Sequence, residues 1–222
     1  MKISDIQIFR VEGEGQGSPF PEGNRQAKQL DVYAEFNTDA SGSVGARSVR
    51  ALYVQIETDE GASGLFGPIQ NHQAFVIDTM LRRFLVGRDP LATEALSDQM
   101  LRLDRHGRSG MFMTGVSPVD CALWDLKGKV WNQPVYRLLG GPTRPAVAAY
   151  ASMLGFSIAP DVAAQTALDY KDKGFTAQKW FFRYGPGDGA EGKQKNLAMA
   201  QAVREAVGPD YALMYDAFMG WD

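Results

Sequence analysis

The 222-residue sequence contains a single cysteine, Cys121, and only two histidines, His72 and His106. One thiol cannot close an internal disulfide, so nothing in the cysteine count argues for secretion. The histidines stand in neither an HExxH run nor a paired metal spacing, and exposed or capping roles at a helix start and a helix end account for both. Cys121 reads as a small core residue beside the buried face of a helix. Long apolar runs are also missing. The longest mild one, Val147 to Ala159, holds two serines and a glycine and falls well short of the ~20 residues of a membrane span. The opening Met1-Lys2-Ile3-Ser4-Asp5 lacks the charged-then-apolar layout of a signal peptide. Positive charge is not in excess: the formal net charge is -3 and the pI about 5.5. With no basic stripe carrying interleaved aromatics, nucleic acid is not an expected partner. No Ser/His/Asp constellation stands out. These absences leave a soluble, cytoplasmic protein as the expectation, with neither membrane nor nucleic acid among its partners.

What is present is ordinary globular composition, 45% hydrophobic and 22% charged. Ile3, Ile6, Ile8 and Val11 mark an opening strand. Residues 12–48 are rich in Gly, Pro, Ser, Asn and charge, with aromatic islands at Phe20 and Tyr33/Phe36; a segment this long without periodicity is functional or disordered. Leu52, Val54 and Ile56 alternate, Asp59-Glu60-Gly61 turns, and Ala62 to Phe66 returns, which is a β-hairpin completing a three-stranded meander. Two helical stripes follow, Phe75 to Leu85 and Leu91 to Leu103. A third helix is expected to begin at Ser117 (N-cap) and Pro118 (first helical position), with Asp120 in a capping box. Pro134 opens a short helix ending at Gly140-Gly141.

From Val147 the pattern becomes strand–helix alternation: a strand over Val147 to Met153, a helix from Pro160 to Lys173 stopped by Gly174, a strand over Phe175 to Arg183, a helix from Glu191 to Val207 closed by Gly208-Pro209, and a strand from Tyr211 to Asp216. Such alternation implies parallel βαβ units. The expected fold class is therefore an α+β domain followed by an α/β domain, the boundary falling near residues 141–146.

Asp216 is the leading candidate residue. It closes an apolar strand, on the face shared by Ala212, Met214 and Phe218. A carboxylate there must be paired, ligated or solvent-facing; a metal or substrate role and a plain capping role are both open. Lys179 and Arg183 share a face with Ala177 and Phe181, which suits an anionic substrate if that face is the inner one and mere solvation if it is not. Gly185-Pro186-Gly187-Asp188-Gly189 looks like a phosphate cradle but lacks a following Gly-Lys-Ser/Thr, so a flexible βα connection is the better reading. Gly13-Glu14-Gly15-Gln16-Gly17 follows a strand but leads to prolines rather than a helix, against a dinucleotide site.

The run Ser117-Pro118-Val119-Asp120-Cys121-Ala122-Leu123-Trp124-Asp125-Leu126-Lys127-Gly128-Lys129, continued by Pro134-Val135-Tyr136-Arg137-Leu138-Leu139-Gly140-Gly141, resembles the enolase superfamily in its mandelate racemase/muconate lactonizing branch. Gly174-Phe175 leading to Lys179, and Leu213-Met214-Tyr215-Asp216, stand in the order that family has, and the resemblance spans essentially the whole chain. It implies an α+β capping domain over residues 1–141 and the start of a (β/α)8 TIM barrel over 142–222. It also implies abstraction of the proton α to a carboxylate, with Mg2+ stabilising the enediolate. Asp216 matches the first of three acidic metal ligands that close successive barrel strands.

Where many members carry Lys-x-Lys, this sequence reads Lys179-Trp180-Phe181, and Phe181 cannot accept a proton. A base would come from a His–Asp pair that the family places on later strands, with Lys179 as an electrostatic catalytic or substrate contact. The stretches Lys179 to Pro186 and Asp216 to Asp222 are similar to rhamnonate-dehydratase-like acid-sugar dehydratases. The resemblance makes residues 12–30 a mobile capping loop with Arg25 as its cation, and Phe66-Gly67-Pro68 a second capping turn. Arg183 and Phe218 join Arg25 as candidate substrate contacts.

A (β/α)8 barrel takes ~250 residues, and the residues after 145 suffice for about three βα units at ~30 each. The expectation is thus the N-terminal part of an acid-sugar dehydratase, inactive as written and completed by further sequence or a second chain, in a homo-oligomer by analogy with the family. The alternatives are an epimerase or cycloisomerase on the same scaffold, or an inactive truncated fragment serving as an assembly module.

Overall fold

The computed structural model describes residues 1–16, 25–38 and 46–221. By packing, the chain forms two compact units: Met1–Gly15 with Ser48–Pro145, and Gln16–Arg47 with Ala146–Asp222.

The first unit holds a sheet in the order β1-β2-β3, from Ile3–Gln16, Ala46–Thr58 and Ser63–Ile69. β2 and β3 are antiparallel, with Glu57 opposite Ser63, across the expected turn in which Gly61 takes φ +83. Alternation works as the sequence suggests: Val54 and Ile56 are buried and Leu52 packs beside them. Phe66-Gly67-Pro68 lies inside β3 and is not a turn.

Behind the sheet run α1 (Asn71–Val76), a π-helical turn (Ile77–Leu81), α2 (Arg82–Leu85), α3 (Thr93–Leu103), α4 (Gly110–Val130) and α5 (Val135–Leu138). Ile77, Leu81, Leu85, Met100, Leu123 and Leu126 form the core with the sheet. Each contributes about 1.5–3 kcal/mol by leaving water.

The start expected at Ser117 is overturned. α4 begins seven residues earlier, at Gly110, and Pro118 sits inside it. Ser117 is a mid-helix residue whose hydroxyl donates to the Met113 carbonyl at 3.2 Å. Proline has no N–H, so the Thr114 carbonyl loses its helical partner. The Gln73 side chain replaces it, donating to Thr114 O at 3.0 Å. Cys121 is exposed and is not a core residue, because Val119, Ala122 and Leu123 take the inward positions of the turn. α4 ends in a Schellman motif: Asn132 has φ 49, and the Gln133 and Asn132 amides donate to the Gly128 and Lys129 carbonyls.

The second unit holds a parallel sheet in the order β4-β5-β6, from Ala151–Ser152, Ala177–Phe181 and Ala212–Asp216. β4 is shorter than the apolar stretch Val147 to Met153 suggests, and Val147 is 78% exposed. The crossover helices are α6 (Pro160–Asp172) and α7 (Gly189–Val207). α6 stops at Gly174, φ +91; the Phe175 amide reaches back to the Tyr170 carbonyl and the two rings sit 5.9 Å apart, the hydrophobic contact that accompanies such a cap.

Trp180 packs with Ala163, Ala167, Met199 and Val203. Gln178, buried beside it, is satisfied: it donates to the Ala167 carbonyl at 2.7 Å and accepts from Trp180 Nε1 at 3.0 Å. The fold is thus an α+β unit with its own sheet and an α/β unit with parallel strands, as expected for a capping domain and the start of a TIM barrel. No helix among the described residues is long and apolar enough to cross a membrane.

Candidate functional site

The register of the parallel sheet decides which way the candidate residues face. Gln178 and Trp180 turn toward the helices, so Ala177, Lys179 and Phe181 occupy the opposite face of β5. On β6, Met214 lies opposite Lys179 and Asp216 opposite Phe181. Lys179, in the middle of β5, reaches along the sheet to Asp216 at the end of β6, 37 residues apart in sequence, with Lys179 Nζ 3.3 Å from Asp216 Oδ2. Their side chains are 25% and 34% exposed. The second oxygen of Asp216 accepts the Phe218 amide at 2.8 Å, so the capping role left open by the sequence is filled as well.

Lys179 also lies 5.4 Å from the Tyr150 ring and 5.1 Å from the Phe181 ring. The neighbouring Tyr150 side chain, and after it the hydrogen bond with Asp216, outweigh the desolvation of the ammonium and raise the Lys179 pKa above its usual value. An ammonium held charged in this way is poorly suited to accept a proton at neutral pH and well suited to bind an anion. Sequence reading does not find Tyr150; its only signal is an aromatic residue ahead of a short strand. Phe218 is 52% exposed with φ 51, next to Met219 with φ 59.

Arg183 is buried, 5% exposed, and its Nη1 reaches Asn37 Oδ1 at 3.4 Å. Arg25 is also buried, and its five donors all have acceptors in its own segment. It forms a fork on Asp31, Nη1 to Oδ2 at 2.7 Å and Nη2 to Oδ1 at 3.0 Å. The other donors go to the Thr38 carbonyl at 2.7 Å, the Gln26 carbonyl at 2.9 Å and Asn37 Oδ1 at 3.5 Å. In this arrangement Arg25 organises the 25–38 segment and has no donor to spare for a substrate. Burial pushes the Asp31 carboxyl up, but the Arg25 hydrogen bond and the Lys28 amide overrule it, and the group settles below its ordinary value.

Phe20 and most of the glycine-rich part of the expected capping loop lie outside the described residues. A cavity of about 470 Å³ opens beside α7, lined by Phe182, Tyr184, Asn196, Leu197 and Trp221; it includes none of the candidate site residues.

Whether a divalent metal fits can be tested on the donor set. Among the described residues no group of three His, Cys, Asp or Glu side chains lies together. The strand ends offer one carboxylate, Asp216, so these residues fit a single ligand position and not a complete site.

Comparison with known proteins bears on the same region. The profile of the mandelate racemase / muconate lactonizing enzyme N-terminal domain matches residues 26–140, just over half of the chain. An L-rhamnonate dehydratase of Saccharopolyspora erythraea is 32% identical over 229 residues, covering 100% of this chain and 56% of the relative. The structure of rhamnonate dehydratase from Gibberella zeae complexed with Mg superposes with a TM-score of 0.76 at 30% identity, over 100% of this chain and 54% of the other. The 3,6-anhydro-D-galactonate cycloisomerase from Zobellia galactanivorans gives a TM-score of 0.65 at 30% identity, over 97% and 51%. The chain spans about half the length of the curated relatives it matches.

Proposed function

The chain belongs to the mandelate racemase/muconate lactonizing enzyme family of the enolase superfamily, and on that premise we propose that it forms the N-terminal part of a Mg2+-dependent acid-sugar dehydratase. The observation that carries the reading is the meeting of Lys179, on β5, with Asp216, at the end of the adjacent parallel strand β6, in a chain similar along its whole length to rhamnonate dehydratases. The reading keeps residues 1–141 as the capping domain and 142–222 as the beginning of the barrel domain.

In this reading Asp216 contributes one oxygen to a Mg2+ whose other ligands come from outside the described residues. The bound metal supplies charge stabilisation for the carboxylate oxygens as the α-proton leaves. The Lys179 ammonium binds and orients the substrate carboxylate from the neighbouring strand, and does not act as the base. Phe181, where relatives with two lysines have a second amine, leaves this side of the site without a proton acceptor. Arg183 and Phe218 are the proposed substrate contacts. Loss of the β-hydroxide as water then yields a 2-keto-3-deoxy acid. The 222 residues on their own are expected to be inactive, since one carboxylate cannot assemble the site, and the complete enzyme is expected to be a homo-oligomer.

The test is to incubate the full-length protein with Mg2+ and L-rhamnonate, or a panel of related aldonates, in D2O. A 2-keto-3-deoxy product is expected. Deuterium entering the α-position without loss of water would replace the dehydratase reading with an epimerase, and ring rearrangement of an anhydro sugar acid would replace it with a cycloisomerase, the activity named for the Zobellia relative.

A further inference from the structure

The loop Gly185–Gly189 lacks the residues of a phosphate cradle, yet the structure shows it closely occupied, by the chain itself. Residues 25–38 lie on it. The Ala27 amide donates to the Phe182 carbonyl at 2.8 Å, and Ala27 is fully buried. A Cβ on Gly187 would run into the Asp31 carbonyl and stand 2.9 Å from Val32 Cα; one on Gly185 would stand 2.8 Å from the Gly220 carbonyl, and one on Gly220 3.0 Å from Ala27 Cβ. The glycines leave the space into which the segment fits.

Asn37 joins the two pieces. Its Nδ2 donates to Asp188 Oδ1 at 2.9 Å, while the other oxygen of Asp188 accepts the Gly185 amide at 2.8 Å. Its Oδ1 faces both guanidinium groups, at 3.5 Å from Arg25 and 3.4 Å from Arg183. This polarity places an amide N–H₂ against the carboxylate and an amide oxygen against the cations, and the reverse would set like poles together.

We propose that Gly185–Gly189 is a docking cradle for residues 25–38, and that Asn37 is the positioning residue that clasps the segment to it and ties it to Arg183. The inference makes no assumption about the reaction, so its failure would leave the dehydratase reading standing, and the reverse holds too.

Amide hydrogen exchange of the full-length protein tests it. Asn37→Ala removes the clasp, and Gly187→Ala keeps every polar partner but fills the cradle. Each is expected to speed exchange in residues 25–38 by about ten- to hundredfold, the scale of one hydrogen bond to a charged acceptor, with α1–α4 unchanged. Asn37→Asp alone sets two carboxylates face to face, offset in part by the facing Arg25 and Arg183, and is expected to speed exchange less than Asn37→Ala. The double swap, Asn37→Asp with Asp188→Asn, re-creates the pair with donor and acceptor exchanged. In it position 188 still offers an oxygen to the Gly185 amide, and position 37 still offers an oxygen to Arg25 and Arg183. The double swap is expected to return exchange to within about threefold of the parent, well inside the loss of one such bond. Unchanged exchange in Asn37→Ala and Gly187→Ala, or a double swap no better than Asn37→Asp alone, would overturn the proposal.

Discussion

The two packing units each hold a three-stranded sheet backed by helices, and they differ in what lies on the sheet face. In the first, Val54 and Ile56 meet the helices through Ile77, Leu81, Leu123 and Leu126, an almost wholly apolar contact. In the second, Trp180 and its neighbours bury the helix side of the sheet, while the other side carries Lys179, Asp216 and a 39% exposed Met214. Parallel sheets normally have both faces covered, and in barrels of this kind the strand ends are where side chains meet substrate. The first unit concentrates its residues on stability and the second divides them between a one-sided core and charge.

The comparison can be sharpened by cutting into each core. Leu123→Ala is expected to cost about 2–5 kcal/mol, read as faster amide exchange through α1–α4. Met199→Ala should act on α6 and α7 instead. Equal losses in both units from either variant would show that the two unfold as one and that the contrast is only architectural. A smaller effect is expected from Gln73→Ala, which strands the Thr114 carbonyl left unpaired by Pro118 and should lower stability by about 1 kcal/mol, measurable as a shift in denaturant midpoint.

The smallest concerns Asp31. Its folded-state pKa is depressed, so its contribution is fully present above the ordinary carboxylate value of about 3.9 and is lost as pH falls through the lower folded value. The Lys28 amide, which donates to Asp31 Oδ2 at 2.9 Å, should report this: its NMR shift should be flat above about pH 4 and move only below. A midpoint at or above the ordinary value would remove the ion pair with Arg25 from the account.

The periodic parts of the fold are legible in the sequence. The β2–β3 hairpin, the glycine stop of α6 and the grouping of Ala177, Lys179 and Phe181 on one face of β5 follow from a turn, a C-cap and alternation, though which face of β5 turns from the helices does not. The start of α4 is not, because Ser117-Pro118 has the local chemistry of a helix N-terminus. The Gln73 amide that makes an internal proline tolerable lies 41 residues from the carbonyl it satisfies. Cys121 lies about 200° around that helix from Val119, on the side away from Ala122, Leu123 and Leu126, so the helical period places it outward, and the ordinary preference of cysteine for the core misleads there.

At the candidate site, strand position marks Asp216 and Lys179 as candidates but leaves their roles open; the register of β5 and β6, which brings the two side chains together, is not legible in the sequence. The sequence shows Arg25 as a cation in a glycine-rich segment, but not Asp31, Asn37 and the carbonyls that take up its donors, since an irregular backbone path brings those acceptors together. For the same reason Asn37 and Asp188 carry no signal beyond being polar residues in loops.

The central claim is that the charged strand ends of the second unit hold the metal and the substrate carboxylate. The most direct measurement is Mg2+ titration by calorimetry of the full-length Asp216→Asn variant beside the parent, with turnover followed in parallel. The account predicts weakened Mg2+ binding and loss of dehydration, with the far-UV spectrum unchanged. Parent-like metal affinity and full turnover in Asp216→Asn would contradict it.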